Sequence, residues 1–320
     1  MELTLRWRAF SLPLPRSLHT AAGVLARKRG WLLRLEAADG ALGWGEAAPL
    51  AGDPAPLQAA IAGLGATTSR TALEALLADG APPPALAFAL GAALAEAEGL
   101  PRGGWRPAPA SARLLPAGPA ALVALPGCSS DAAPCFKWKV AVHPDAQERQ
   151  LLERLLALLP AGARLRLDAN GGWDRATAGR WAERLAREPR LDWLEQPLDP
   201  ADQEGLEALA HRFPTVPIAL DESLQRQPRL RQHWPGWQVR RPSQEGDPRP
   251  LLAALERGTP RLMLSTGFET GIGRRWLHHL AALQGQGPTP AAPGLAPGWS
   301  APGDLAASED PERVWRAARP

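Results

Sequence analysis

Arg164-Leu165-Arg166-Leu167-Asp168 opens a series that decides the fold of this 320-residue chain: three strand-like runs, each ending in an acid. The next two are Leu191-Asp192-Trp193-Leu194-Glu195 and Ile218-Ala219-Leu220-Asp221, so the acids stand 27 and 26 residues apart. Helical patterns at Asp174 to Glu188 and Gln203 to Phe213 fill the gaps, giving one strand-plus-helix unit per acid. Repeated units of this length predict a parallel barrel, in which the C-terminal ends of neighbouring strands converge on one face. Asp168, Glu195 and Asp221 would then repel one another and raise their own pKa values, and a hard divalent cation, Mg²⁺, resolves that. A lone aspartate is as readily a helix cap. That alternative stays open for Asp221, which precedes Glu222-Ser223.

One unit upstream, Phe136-Lys137-Trp138-Lys139-Val140 places two lysines at i and i+2, on one side of a strand. Inside a barrel mouth each ammonium would lower the pKa of the other and yield a neutral amine able to act as a base. On a solvent-facing edge the same pair is an ordinary guard against aggregation. Further strands are predicted at Arg113 to Pro116, Gln238 to Arg241 and Arg261 to Ser265, with helices at Asp145 to Leu159 and Pro248 to Arg257.

Before the Pro/Gly-rich stretch from Pro101 to Pro109 the texture differs. Leu3 to Trp7, Trp31 to Glu36 and Leu42 to Glu46 alternate as a small antiparallel meander, and helical patterns follow at Pro56 to Gly63, Ser69 to Asp79 and Pro84 to Gly99. This is an α+β domain. Between Leu12 and Gly23 a proline-containing segment without a period predicts a mobile flap. The proline-rich segments Ala81 to Pro84 and Gly287 to Pro297 read as loops.

Composition narrows the function classes. Hydrophobic residues at 45% and charged residues at 22% make a globular balance, unlike that of a disordered chain. The net charge of +3 is dispersed, and clusters such as Arg27-Lys28-Arg29 lack interleaved aromatics, so nucleic acid is not an expected partner. No apolar run is long enough for a membrane helix and no leader pattern opens the chain, which predicts a cytoplasmic protein. Cys128 and Cys135 are expected to be reduced bystanders, and the histidines form no metal-spaced set.

The Lys-x-Lys strand, Asp168-Ala169-Asn170, Glu195-Gln196-Pro197 and Asp221-Glu222-Ser223 together resemble the muconate-lactonising branch of the enolase superfamily. Gly43-Trp44-Gly45-Glu46 and the run Leu264 to Gly273, LSTGFETGIG, are similar to it as well. Within the branch the start and end of the chain most resemble the o-succinylbenzoate synthases. The resemblance implies a modified (β/α)8-type barrel, (β/α)7β, over 106–295, with an α+β capping domain over 1–105 closed by 296–320. It also implies Mg²⁺ on Asp168, Glu195 and Asp221, with Lys139 as the base removing a proton α to a small-molecule substrate's carboxylate. Lys137 would tune that base.

One position departs from the branch. Relatives carry a second lysine in a strand reading V-x-K-P-S, whereas this chain reads Val239-Arg240-Arg241-Pro242-Ser243. Arginine stays protonated, so Arg241 suits a cation facing a planar anion and not a second base. That favours a one-base dehydration over a two-base N-acylamino acid or dipeptide racemase; a non-catalytic binding barrel is the third reading. Ser265, Thr266 and Gly267 are candidates to offer backbone N–H groups to a second substrate carboxylate, with Asn170 a further substrate contact. Glu269 either orients a lysine or caps the next helix.

Overall fold

The computed structural model describes residues 2–20, 23–50, 52–125, 134–160, 162–299 and 301–319. Seven parallel strands follow one another in chain order around a sheet: β5 (Arg113–Leu115), β6 (Cys135–Lys139), β7 (Arg164–Asp168), β8 (Leu191–Glu195), β9 (Ile218–Leu220), β10 (Trp237–Arg240) and β11 (Leu262–Leu264). The barrel closes through a segment whose sequence reads only as loop. Gly294 N donates to Leu264 O at 2.8 Å on one side, and Ala112 N donates to Pro293 O at 2.9 Å on the other. The stretch around Pro293 therefore lies between β11 and the approach to β5, where an eighth strand would run.

Alternation sorts the strand residues. Trp193, Ala219, Val239 and Met263 form one buried cluster inside the barrel, where Arg166 stacks 3.8 Å above the Trp193 ring. Phe136, Trp138, Leu165, Leu167 and Leu194 pack outward onto the helices, Trp138 with its ring 6.5 Å from that of Trp181. The inward-facing residues two places further on are Asp168, Glu195, Asp221, Arg241 and Ser265, and these line the mouth. Cys128 falls outside the described residues. Cys135 is a free thiol at the inner base of β6, and burial pushes its pKa up to about 12, so it stays inert.

The cap is a four-stranded antiparallel sheet in the order β3-β2-β1-β4: β1 (Glu2–Thr20), β2 (Gly23–Ala37), β3 (Leu42–Ala47) and β4 (Thr67–Ser69). Three helices complete it: α1 (Ala55–Gly63), α2 (Arg70–Ala78) and α3 (Pro84–Ala97). The flap expected between Leu12 and Gly23 is instead part of a long hairpin, with a register shift between Pro13 and Leu18 and pairing that resumes at Leu18 and Leu25. β1 pairs with β4 only through Glu2 to Thr4, so beyond them it is an edge strand, the place where prolines disrupt no ladder. Ala21 and Ala22 at the tip lie outside the described residues.

Gly43 and Gly45 of β3 explain half of the GWGE motif. A Cβ on Gly43 would lie 1.8 Å from Ala93 O, and one on Gly45 would lie 2.1 Å from Ala89 O, both backbone atoms of α3. The glycines let the sheet and helix touch backbone to backbone. Gly43→Ala is therefore expected to destabilise the protein by about 3 kcal/mol, at the upper end of the cost of overpacking, measured as a shift in urea midpoint. A midpoint within error of the parent would refute this account of the contact.

Cap and barrel are welded at two places. The C-terminal helices α5 (Asp304–Ala307) and α6 (Pro311–Ala317) bury Ala306, Val314 and Trp315 against Phe10, Leu12, Leu32 and Trp44 of the cap sheet. Between α3 and the barrel's last large helix, α4 (Gly271–Gly285), the Glu96 carboxylate accepts from Trp44 N at 3.2 Å, from Trp276 Nε1 at 2.9 Å and from Arg275. Burial raises the Glu96 pKa from 4.5 to about 7 despite these partners. An acid whose pKa is raised by folding binds more protons folded than unfolded between those values. Its contribution is thus present below pH 4.5 and lost as pH rises towards 7, by roughly 3 kcal/mol. Urea unfolding at pH 5 and pH 8 should show this loss in the parent and a smaller one in Glu96→Gln. Equal pH dependence in the two proteins would contradict the assignment.

Candidate active site

The mouth of the barrel gathers the charges that the strand ends carry. Lys137, Asp168 and Glu195 meet directly: the Lys137 ammonium lies 2.7 Å from Asp168 Oδ2 and 2.5 Å from Glu195 Oε1. Asp168 and Glu195 stand level across β7 and β8, and Lys137, level with Arg166, reaches from two residues further back on β6 to both of them. Glu195 Oε2 accepts from Trp193 Nε1 at 3.1 Å, so both of its oxygens are held. Lys139 projects on the same face as Lys137, one step nearer the mouth, half-buried. Among the described residues it forms no hydrogen bond or ion pair.

Asp221 pairs with Arg241 in a two-pronged contact, Nε to Oδ1 at 2.9 Å and Nη2 to Oδ2 at 2.5 Å, while Nη1 donates to Thr266 O at 2.7 Å. Asp221 occupies the residue before a short helix but makes no capping bond, which closes the capping alternative. Its pKa is lowered: burial works against ionisation, and Arg241 overrides it. Burial likewise opposes the charge on Lys137, but Asp168, Glu195 and Asp221 together raise its pKa. The expectation that the lysine pair lowers its own pKa values is therefore corrected for Lys137. It is a fixed ammonium neutralising acids, because the nearest charges are carboxylates and not its sister lysine.

Those two cations are not enough. Burial and the neighbouring acids Asp168 and Asp221 push Glu195 up to about 7, although Lys137 opposes the rise. Burial, Asp221 and Asp168 push Glu222 up to about 8, and Glu222 Oε2 is buried with no hydrogen-bond partner. Asn170 Nδ2 donates to the other Glu222 oxygen at 3.0 Å, and Asp168 Oδ1 accepts from Asn170 N at 3.0 Å. An all-oxygen, over-acidic cluster fits a hard divalent cation on chemical grounds. Its arrangement here is not that of a ready ligand set: among the described residues no three His, Cys, Asp or Glu side chains are disposed around one point. Lys137 fills the gap between Asp168 and Glu195, and Arg241 takes both oxygens of Asp221.

The loop after β11 also differs from expectation. Ser265 N donates to Arg240 O, Thr266 N to Gly294 O and Gly267 N to Glu269 Oε1, so the three N–H groups read as an anion cradle are already engaged. The loop's exposed function passes to the Thr266 carbonyl, which grips Arg241. Glu269 does not cap the next helix, a role that the Thr270 side chain fills by accepting from Ile272 N. Two residues have roles that local patterns do not reveal. Gln196 Oε1 accepts from Asp221 N and Ser223 N, and its amide donates to Ser223 Oγ, fixing the Asp221 turn. Glu222 supplies a fourth acid. Gln196 also has a positive φ of 36°, a cramped turn, and the only signal for either residue in the sequence was its place in the Glu195-Gln196-Pro197 and Asp221-Glu222-Ser223 motifs.

A parallel barrel under an α+β cap, with acids on three successive strands and lysines on the strand before them, defines an enolase-superfamily enzyme. The family profile described as "Enolase C-terminal domain-like" matches residues 128–234. The o-succinylbenzoate synthase of Thermosynechococcus vestitus is 39% identical over 291 residues, covering 86% of this chain and 87% of that one. The chain belongs to the o-succinylbenzoate synthase family. A crystal structure of o-succinylbenzoate synthase from Thermosynechococcus elongatus, complexed with Mg in the active site, superposes with a TM-score of 0.81 at 34% identity. It covers 98% of this chain and 99% of that chain. The muconate lactonizing enzyme of Pseudomonas fluorescens shares the fold alone, at TM-score 0.67 and 21% identity, with 87% of this chain and 83% of that one covered.

Proposed function

We propose that the chain is a Mg²⁺-dependent lyase that dehydrates 2-succinyl-6-hydroxy-2,4-cyclohexadiene-1-carboxylate to 2-succinylbenzoate, a step of menaquinone or phylloquinone biosynthesis. What supports this reading is the strand order: Lys139 ends β6 and Arg241 follows β10, with the ends of β7, β8 and β9, which carry Asp168, Glu195 and Asp221, between them. When bound, Mg²⁺ held by those three acids supplies positive charge to the substrate carboxylate as the adjacent carbon loses its proton. Lys139 removes that proton: the C–H electron pair becomes the new ring double bond, and the hydroxyl leaves. Returned by Lys139 to the departing hydroxyl, the same proton makes water, so one base on one face completes the elimination.

Lys137 holds Asp168 and Glu195 together by placing its ammonium between them. Arg241 stays charged, since Asp221 raises its pKa against the effect of burial, and it faces the ring as a cation. A racemase requires a base on each face, and Arg241 does not provide one. Asn170 and the loop Ser265 to Gly267 act as supports, Asn170 through Glu222 and the loop through Arg241. Leu12 and Leu14 of the hairpin line a separate cavity with Thr266, Phe268 and Trp299.

The test is a spectrophotometric assay of purified protein with that substrate and Mg²⁺, beside an EDTA-treated sample. Conversion that EDTA abolishes and Mg²⁺ restores is the expected result. Well-folded protein that binds Mg²⁺ but leaves the substrate unchanged would sink the synthase reading, and N-acylamino acid or dipeptide epimerisation would then be assayed in its place.

A further inference from the structure

Lys28 is wholly buried, an unusual state for a lysine, and none of the chemistry above uses it. It belongs to the cap, on β2 opposite Leu12, yet its ammonium donates at 2.5 Å to Gly267 O in the barrel's loop. Glu46 of the GWGE motif is its nearest acid, with Oε1 3.6 Å away, too far for a hydrogen bond, and otherwise unpartnered. The other Glu46 oxygen reaches into the barrel, accepting from Thr270 N at 2.8 Å, Thr270 Oγ1 at 2.6 Å and Gly273 N at 3.1 Å at the start of α4. Glu269 closes the network from the barrel side, accepting from Gly267 N and Ser243 Oγ with one oxygen and from Thr266 Oγ1 with the other.

Three charges are thus buried together, one positive and two negative, and burial raises the Glu46 pKa whereas Lys28 and hydrogen bonds keep Glu269 ionised against it. Such a group is costly unless it is fully paired, and its residues lie on both sides of the domain boundary. The loop it grips has no slack: a Cβ on Gly267 would come 2.7 Å from Ser243 Oγ and 2.9 Å from Glu269 Oε1. One peptide before the carbonyl held by Lys28 is the Thr266 carbonyl, which accepts from Arg241 Nη1 at 2.7 Å. A continuous polar path therefore runs from the cap through Lys28, the 266–267 backbone and Arg241 to Asp221.

We infer that Lys28 is a positioning residue for the dehydration: by fixing the Gly267 carbonyl it orients the Thr266 carbonyl and thereby sets the Arg241 guanidinium at the reaction face. This rests on the synthase reading. The consequence is that cap and barrel must be docked for Arg241 to be aligned, so the cap contributes to turnover as well as to enclosure.

A double-mutant cycle tests it, with Lys28→Met, Arg241→Gln and the pair, scored by kcat, by 2-succinylbenzoate affinity in calorimetry and by thermal unfolding. Lys28→Met alone should lower kcat about 30-fold; if it acts through Arg241, it should lower kcat less than about 3-fold further in the Arg241→Gln background, with product affinity following the same pattern. A purely structural lysine would lower the melting temperature while the effects on kcat multiply, and that outcome overturns the inference. Should Lys28→Met not fold, Lys28→Met with Glu46→Gln removes one charge of each sign, keeps the group at its original net charge, and enters the cycle in its place. Wild-type protein without synthase activity would overturn the functional reading itself; active wild type with multiplicative effects would overturn only the role of Lys28.

Discussion

Replacing Lys139 by alanine is expected to lower kcat for the dehydration by about 10³-fold, within the range a positioned general base contributes, while leaving the fold intact. The two halves of this result come from one fact: Lys139 is half-buried and bonds to no described residue. A side chain without partners contributes little to stability, so the variant should unfold within about 0.5 kcal/mol of the parent. Its Mg²⁺ affinity should also hold, because the acids lose nothing they touch. The sister substitution Lys137→Ala gives the contrast. It strips the ammonium that lies 2.5 Å from Glu195 and 2.7 Å from Asp168, leaving buried acids unpaired, so stability falls together with activity. Assays and urea melts of the two variants side by side separate base from neutraliser. A Lys139→Ala enzyme retaining a tenth of parental kcat would remove Lys139 from the reaction.

Glu195→Gln is expected to be the most damaging isosteric change in the protein. One Glu195 oxygen faces the Lys137 ammonium at 2.5 Å and the other the Trp193 indole N–H at 3.1 Å, and both neighbours are donors. A glutamine amide has one acceptor oxygen, so in either orientation its NH₂ confronts a donor in a fully buried site. Breaking a buried ionic contact while leaving its partner in place costs about 3 kcal/mol. Relief of the burial that pushes Glu195 up to about 7 offsets part of that cost, so the stability loss falls below that of an unstrained carboxylate. Activity has no such offset. Loss of a direct oxygen donor should weaken Mg²⁺ binding by more than the 10- to 100-fold seen for supporting groups, with kcat falling about 10³-fold. Titration calorimetry with Mg²⁺ on folded variant decides it; parental affinity would take Glu195 out of the metal site.

Much of the site was legible in the residues because strands write their geometry locally. Alternation at i and i+2 identified β7 and β8 to the residue, and the acid ending each run put Asp168 and Glu195 at the same end of the barrel. The Lys-x-Lys spacing put Lys137 and Lys139 on one face for the same reason, and the register confirms it. The proline-rich hairpin was not legible, since prolines on an edge strand imitate a loop. Nor was barrel closure at Pro293, where a few backbone bonds replace a strand and leave no periodicity behind.

Sequence alone determined the barrel, the cap and the positions of the acids and lysines, because each depends on neighbours a few residues apart and on hydrophobic patterns that must face a core. Tertiary structure decided what those groups are electrically. Lys137 is a charged neutraliser because Asp168 and Glu195 arrive from other strands, and the Thr266 loop has spent its N–H groups because Gly294 and Glu269 take them. Lys28 reads as one member of a basic surface cluster until folding brings it to Gly267, 239 residues away. Charge state depends on burial and on through-space partners, and a contact across that much chain leaves no local pattern from which to read it.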